Sequence, residues 1–210
     1  SDFSRPMKRG IIAVNLDEGD YLIGAAMTNG NNDVMLFSDS GKAVRFDEND
    51  VRAMGRSARG VRGMNLEDGQ SVIAMLVAEN EQQSVLTATQ NGYGKRTEVG
   101  EFPAKGRGSQ GVIGMQTTER NGQLVGAVQV FDGEEIMLIS DQGTMVRTRV
   151  DEVSVLSRNT QGVRLIKLKD GERMQGLERI EESADENAKR ELARAEGDDA
   201  DVLADDGVAD

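Results

Sequence analysis

Several residue types that carry common chemistry are missing from this 210-residue chain. It contains no cysteine and no histidine, which excludes disulfides, thiolate catalysis, the usual zinc sites and a histidine-based catalytic triad. It has no tryptophan, and aromatic residues make up only 3% of it, so aliphatic residues and methionine must supply the core. No stretch approaches the length of apolar residues that spans a bilayer, and the N-terminus has no apolar signal core. We therefore expect a soluble protein, or a soluble piece of one, without membrane contact.

Proline is scarce and glycine is abundant, with 2 and 25 residues respectively. Charged residues make up 30% of the chain and the hydrophobic set 37%, which is typical of a globular protein. In a β protein, so much glycine indicates many tight turns and close backbone approaches.

The acidic charge is concentrated at the C-terminal end of the chain. The formal net charge is −12, but residues 181–210 hold twelve acidic and only three basic residues. The first 180 residues are nearly balanced, with 25 acidic and 22 basic residues. Because 181–210 combine high charge with few apolar residues, we predict a folded domain over 1–180 and a disordered acidic tail over 181–210.

One short pattern occurs three times: an apolar run, a polar turn closed by glycine, and a segment that ends in arginine. The closing glycines are spaced by 51 residues, as are the arginines; these residues are Gly41, Gly92 and Gly143, and Arg45, Arg96 and Arg147. A fixed period of this size is typical of a repeat architecture. We place the repeats at about 10–59, 60–110 and 111–161, with a partial repeat over 162–180.

Each repeat has the pattern of about four short strands joined by polar turns. In the first repeat the apolar segments Ile11–Val14 and Leu22–Gly24 precede the strand-turn-strand pattern. Within 10–180, no window of 12 residues shows the apolar spacing of a helix. Four strands in about 50 residues are typical of a propeller blade, and a blade must stack on its neighbours to hide its apolar face. The lack of tryptophan disfavours a kelch propeller.

No motif in the chain indicates a catalytic, cofactor or metal site. Gly106–Gly111 match the pattern Gly-x-Gly-x-x-Gly, but a strand pattern follows where a dinucleotide site needs a helix. We interpret the only two tyrosines, Tyr21 and Tyr93, as packing or surface residues.

Basic residues recur at equivalent positions of the repeats. Stacked repeats would arrange Arg45, Arg96 and Arg147 along one rim, and Arg56, Arg107 and Arg158 along the same or a second one. A curved row of guanidinium groups suits a curved row of phosphates, and such contacts bind DNA without reading its sequence. The alternative is that each arginine pairs with an Asp or Glu of its own blade.

The residues predicted to contact DNA are basic residues of the turns and of the segments that join the repeats. They are Lys42, Arg45, Arg52, Arg56, Arg59, Arg62, Lys95, Arg96, Lys105, Arg107, Arg147, Arg149, Arg158 and Arg164.

Beyond the period, particular stretches of the chain are similar to one known family, the C-terminal domain of the bacterial DNA gyrase A protein. The similarity extends from residue 1 to about 180. It is carried by residues 33–38, 41–46, 51–55, 87–97, 118–122, 125–130, 144–150 and 158–163.

This resemblance implies an all-β, propeller-like fold, the six-bladed β-pinwheel, in which blades share strands with their neighbours. It implies that duplex DNA wraps around a basic rim, so that the ATP-dependent type IIA topoisomerase introduces negative supercoils. The implied partners are double-stranded DNA, the core of gyrase A, and gyrase B in the parent heterotetramer. The implied location is the bacterial cytoplasm, at the nucleoid. The domain itself would not be an enzyme and would hold no cofactor, since the parent enzyme uses ATP and Mg²⁺ elsewhere.

The chain departs from the family pattern in two ways. The family's basic box, Gln-Arg-Arg-Gly-Gly-Lys-Gly, is absent, and so are the catalytic tyrosine and the DNA-breaking core. We therefore expect a partial ring of three complete blades and parts of two more. Two other interpretations stay open, namely the corresponding domain of topoisomerase IV and a propeller-like scaffold for protein partners. The acidic tail would either compete with DNA for the basic rim or serve only solubility.

Overall fold

The computed structural model of the protein describes residues 3–4, 7–78, 81 and 83–180. The predicted acidic tail, 181–210, lies outside the described residues. No helix in the described part is long and apolar enough to cross a membrane. Its regular elements are strands and three single-turn 3-10 helices, the latter at Glu48–Asp50, Val99–Glu101 and Val150–Glu152. The strands are β1 (Asp33–Ser38), β2 (Lys42–Asp47), β3 (Val72–Ala78), β4 (Ser84–Thr89), β5 (Tyr93–Glu98), β6 (Val112–Ile113), β7 (Leu124–Val130), β8 (Glu135–Ser140), β9 (Met145–Arg149), β10 (Val163–Arg164) and β11 (Met174–Ile180).

The repeated sequence pattern forms a β-hairpin in each of its three copies: β1–β2, β4–β5 and β8–β9. The turn requires glycine because its last residue has a positive φ, +80° at both Gly41 and Gly92. The amide of Gly41 donates a hydrogen bond to the carbonyl of Ser38 at 3.0 Å. Gly92 makes the equivalent bond to Thr89 at 3.0 Å. The predicted hairpins are thereby confirmed.

The hairpins are the centres of three antiparallel sheets, which we call blades 1, 2 and 3. Their strand orders are β3-β1-β2-β6, β10-β5-β4-β7 and β11-β8-β9. On one side of each hairpin a seven-residue strand, β3, β7 or β11, comes from the next part of the chain. On the other side of blades 1 and 2 lies a two-residue strand, β6 or β10, from still further along the sequence. The domain is therefore all-β and built from blades that share strands.

This exchange of strands means that no sheet corresponds to one sequence repeat. Blade 1 takes its hairpin from the first predicted repeat, β3 from the second and β6 from the third. The first repeat contributes only β1 and β2, because residues 7–32 hold no strand. The expectation of about four strands in this repeat is wrong. Residues 22–28 are equivalent to β3 in the repeat, but the described residues before them contain no hairpin on which such a strand could pair.

The two larger apolar cores lie between successive blades. The first joins Met35 and Phe37 of blade 1 to Val85 and Leu124 of blade 2. The second joins Leu86 and Val130 of blade 2 to Ile136, Leu138 and Met174 of blade 3. Because each blade buries its inner residues only against a neighbour, the stack of blades is the unit of stability.

Candidate nucleic-acid interface

The structure divides the fourteen residues predicted to contact DNA by their exposure. Three are buried, namely Arg45, Lys95 and Arg96, and three are half-buried, namely Lys42, Arg56 and Arg158. The other eight are exposed: Arg52, Arg59, Arg62, Lys105, Arg107, Arg147, Arg149 and Arg164.

Arg45 is enclosed between blades 1 and 2 and is 8% exposed. Its Nε donates to the carboxylate of Asp33 at 2.6 Å, and its Nη1 donates to the carbonyls of Val99 and Phe102, each at 3.1 Å. Its Nη2 lies 3.3 Å from Glu81 Oε1. These contacts engage all three nitrogens of the buried guanidinium, so it has no open edge for a phosphate.

Arg96 repeats this arrangement between blades 2 and 3 and is 9% exposed. Its Nε donates to the carbonyl of Val153 at 2.8 Å and its Nη1 to Asp132 at 2.5 Å. The neighbouring Lys95 is fully buried, and its Nζ donates to the carbonyls of Ser157, at 2.6 Å, and Arg158. Burial lowers the pKa of Lys95 to about 8.

The third residue of this set, Arg147, is exposed and pairs with Glu135. The expectation that Arg45, Arg96 and Arg147 form an exposed arc is therefore wrong, and Lys95 is likewise inaccessible. The physical reason is that a neighbouring blade brings backbone carbonyls against the first two arginines. Their role is to join blades, and the alternative of pairing with carboxylates describes them better.

A different repeated feature places cations at the surface. We call residues 51–62, 102–113 and 153–164 the connector segments, since they link each hairpin to the next repeat. They carry no acidic residue, and they hold eight of the predicted basic residues: Arg52, Arg56, Arg59, Arg62, Lys105, Arg107, Arg158 and Arg164. All eight are exposed or half-buried. In a chain of net charge −12, three acid-free segments at equivalent positions form a distinct cationic feature.

One arginine holds each connector segment in the same way. Arg56 donates from Nη1 to the carbonyl of Ile12 at 2.9 Å, and Arg158 to that of Ile113 at 2.8 Å. Arg107 donates from Nη1 to the equivalent carbonyl, that of Arg62, at 3.1 Å, and from Nε to the backbone carbonyl of Asp50 at 3.0 Å. Each guanidinium is thus fixed by neutral acceptors and keeps its full charge.

The connector segments are held against the hairpins by backbone hydrogen bonds. In the second segment the amide of Lys105 donates to the carbonyl of Arg45 at 2.9 Å. In the third segment the amide of Leu156 donates to the carbonyl of Arg96 at 2.8 Å. Because the two segments are attached in the same way to blades 1 and 2, they have the same position relative to their sheets. Their cationic side chains therefore recur at the same place on each of the two blades.

Four of the predicted residues are engaged in ion pairs, three of them at the surface and one, that of Arg147, with the buried Glu135. Lys42 lies 3.5 Å from Glu67, Arg59 2.7 Å from Asp17, and Arg149 3.1 Å from Asp151, while Arg147 pairs with Glu135. Surface pairs contribute little to stability, yet a carboxylate beside the cation reduces its attraction for an anion.

Arginine spacing selected Arg45 and Arg96, which are buried, together with Arg56, Arg107 and Arg158 of the connector segments, and it did not distinguish the two sets. The signal that separates them is the absence of acidic residues from the connector segments, which is readable from sequence. In the described residues, no group of three or more acidic side chains could hold a metal ion.

Comparison with known proteins identifies the family. The family model of the DNA gyrase C-terminal domain, a β-propeller, matches residues 1–29, 32–79, 83–130 and 134–181. The second, third and fourth matched segments each begin one residue before a hairpin and end within one residue of the end of β3, β7 or β11, so they follow the blades and not the repeat boundaries predicted above.

Several relatives and solved structures resemble the chain. The DNA gyrase A protein of Pseudomonas aeruginosa is 62% identical over 180 residues, which are 86% of this chain and 19% of that protein. The Escherichia coli K12 protein is 50% identical over 201 residues, 95% of this chain and 23% of that protein. A solved gyrase A C-terminal domain aligns with a TM-score of 0.75 and 26% identity over 83% of this chain and 59% of that one. The C-terminal domain of DNA topoisomerase IV aligns with a TM-score of 0.76 and 26% identity over 80% and 53%. The chain spans about a fifth of the length of the gyrase A proteins it matches.

Proposed function

Because the chain belongs to the DNA gyrase C-terminal domain family, we propose that it binds and bends duplex DNA along its connector segments, as a module of DNA gyrase A. The observation that carries this proposal is the set of acid-free connectors, in each of which one arginine is fixed by carbonyls of the protein itself. Fixed cations at a regular spacing bind phosphates at little cost in side-chain entropy.

The mode of binding follows from the chemistry of these segments. Their cations reach phosphates, which position a duplex without reading its bases. DNA is stiff, with a persistence length of about 150 bp, so a bend requires contacts at successive points along it. A stack of equivalent blades supplies such points. In the parent enzyme the wrapped duplex would be the substrate for ATP-dependent negative supercoiling, with double-stranded DNA, the core of gyrase A and gyrase B as partners, in the bacterial cytoplasm.

The experiment compares two triple variants that remove the same charge. The connector variant carries Arg52→Gln, Arg62→Gln and Lys105→Gln, all at exposed positions. The control variant carries Lys42→Gln, Arg147→Gln and Arg149→Gln, which are ion-paired outside the connectors. Affinity for a 40-bp duplex is measured by fluorescence anisotropy at several salt concentrations.

The connector variant should lower the slope of log K against log salt by about 3, since each phosphate contact contributes about 0.9. The control variant should change it by less than about 1. Equal losses in the two variants would show that only total charge matters and would contradict the assignment. In gyrase A assembled with gyrase B, the connector variant should reduce supercoiling more than relaxation.

A second candidate is the corresponding role in topoisomerase IV, which the structural alignment with that enzyme's C-terminal domain favours. Assembly of the full-length parent protein with its partner separates the two, because gyrase introduces negative supercoils and topoisomerase IV does not. DNA binding that is absent or insensitive to salt would instead favour a scaffold for protein partners.

A further inference from the structure

A cavity of about 270 Å³ lies beside the β4–β5 turn and is unusually rich in cations. Five of the ten residues that line it are basic, and one is a carboxylate, Glu172. None of the five belongs to the buried arginines that join the blades. The basic residues are Arg120, Arg164, Lys167, Lys169 and Arg173.

Tyr93 forms the centre of this cluster and is 7% exposed. Arg164 Nη2 donates to the Tyr93 hydroxyl at 2.9 Å. The guanidinium carbons of Arg120 and Arg164 lie 4.7 and 5.4 Å from the centroid of the tyrosine ring. Arg120 Nη1 also donates to Gln161 Oε1 at 3.4 Å. Contact with an aromatic ring fixes each guanidinium, and each has further N–H groups that can donate to an anion. The hydrogen bonds from Arg164 and Arg120 lower the pKa of Tyr93, as expected in a positive potential.

The backbone around the cavity is also fixed. Asn91 Nδ2 donates to the carbonyls of Glu119 and Arg120, each at 3.1 Å, which holds the turn that carries Arg120. The amides of Leu165 and Ile166 donate to the carbonyl of Gly92 at 2.8 and 3.2 Å, which holds β10 against the hairpin. The cationic groups therefore approach the cavity from segments that are already ordered.

Among the described residues that line the cavity, the one carboxylate already accepts hydrogen bonds from the protein. Glu172 accepts from the amide of Lys169 at 2.9 Å and from the hydroxyl of Ser140 at 2.5 Å. Within the described residues, no carboxylate lies within 4.0 Å of the five cationic groups. The cluster thus has a net positive charge that the described residues do not neutralise by direct contact.

Blade 1 provides an internal comparison for this site. Tyr93 pairs with Arg164 in blade 2, and the equivalent pair in blade 1 is Lys42 with Ile113. The residue equivalent to Arg120 is Glu67, and Lys42 forms an ion pair with it at 3.5 Å. The same position in the fold is therefore neutralised in blade 1 and strongly cationic in blade 2, so the charge is not a requirement of the turn itself.

We infer that the cavity beside Tyr93 is a binding site for a phosphate group. Several guanidinium and ammonium groups around one small cavity suit the multiple oxygens of phosphate, and the guanidinium edge can donate two parallel hydrogen bonds. The phosphate belongs either to a DNA backbone or to a small free anion. The first source rests on the proposed function and extends it from the connector segments to the neighbouring cavity; the second is independent of it.

The test replaces blade 2 residues by their blade 1 equivalents, Arg120→Glu and Arg164→Ile, in the whole chain. The probes are a 40-bp duplex and inorganic phosphate, with chloride at equal ionic strength as the reference anion. A second variant, Lys167→Gln with Lys169→Gln, changes only exposed side chains and covers the case in which the first does not fold. Arg179→Gln, which lies outside both the cavity lining and the connector segments and is ion-paired to Glu134, is the control.

We expect the cavity variants to weaken duplex binding about tenfold at low salt, the effect of losing one charge-assisted hydrogen bond, with a salt slope lower by about 0.9. Arg179→Gln should leave both unchanged. If duplex affinity is unchanged but phosphate raises the melting temperature of the unsubstituted chain and not of the variants, the site takes a free anion. If neither probe distinguishes the variants from the unsubstituted chain, the inference is wrong. The connector variants test the proposed function separately, so the two can fail independently.

Discussion

Blades 1 and 3 contain the same hairpin in different surroundings. In blade 1 the second strand, β2, is buried over most of its length, whereas the equivalent strand β9 alternates between exposed and half-buried residues. Met145, at the start of β9, is 65% exposed. Blade 1 is covered by the chain that follows it, through β6 and the second connector segment, and blade 3 has no such cover among the described residues. A repeat sequence therefore specifies a hairpin, and the next repeat decides what that hairpin buries.

The arginine of each hairpin shows what this cover does. Arg45 in blade 1 meets two carbonyls of the following blade, and its side chain is 9% exposed. The side chain of Arg147 in blade 3 is 47% exposed. The same residue at the same repeat position joins two blades in one case and is a surface cation in the other.

The largest difference between the blades should come from the turn glycines. A Cβ at Gly41 would overlap the backbone oxygen of Met115, whereas a Cβ at Gly143 meets nothing. Gly41→Ala adds this overlap to the strain of its φ of +80° and should cost about 4 kcal/mol. Gly143→Ala carries only the strain and should cost about 1 kcal/mol. Urea unfolding measures both, and similar losses would contradict the difference in cover between blades 1 and 3.

Removing the arginines should give the next largest difference. Arg45→Met leaves Asp33 and two inter-blade carbonyls without their donor and should cost about 3 kcal/mol. Arg147→Met removes a half-exposed donor to the buried Glu135 but no donor between blades, and should cost about 2 kcal/mol. Chemical denaturation of the two variants, with circular dichroism of the folded forms as the control, measures the comparison. A larger loss for Arg147→Met would overturn the distinction between an arginine that joins blades and a surface cation.

Glu172 provides an acid-sensitive contact in blade 3. Its hydrogen bonds from the amide of Lys169 and the hydroxyl of Ser140 lower its pKa from 4.5 to about 2. Because the folded pKa lies below the unfolded one, the carboxylate contributes stability that is complete above pH 4.5 and is lost as pH falls towards 2. The difference in melting temperature between the unsubstituted chain and Glu172→Gln should shrink as the pH falls over that interval. A constant difference would exclude this contribution.

A last prediction concerns a position that differs between blades 1 and 2. Val44 in blade 1 is replaced by Lys95 in blade 2, where burial lowers the lysine pKa from 10.5 to about 8. Between pH 8 and 10.5 the unfolded chain keeps a proton that the folded protein has released, so stability should rise with pH. Lys95→Val, which copies blade 1, should remove this rise in unfolding experiments from about pH 7 to about pH 10. An identical rise in the variant would assign it to other groups.

Some features of this protein are determined by the sequence alone. The 51-residue spacing, the polar turns that end in glycine and the apolar runs specify three hairpins, because a turn with positive φ and flanking strands is a local requirement of the chain. The lack of acidic residues in the connector segments is likewise written in the sequence.

Only the tertiary structure decided which cations are available and which strands share a sheet. Arg45, Arg96 and Arg147 are indistinguishable by their spacing, yet two are buried, because burial depends on carbonyls supplied by a blade further along the chain. Residues 22–28 resemble β3 in pattern but form no strand, because a strand needs a partner for its backbone hydrogen bonds. The cationic cavity beside Tyr93 combines residues from three separate segments, a proximity that stacking creates and periodicity cannot predict.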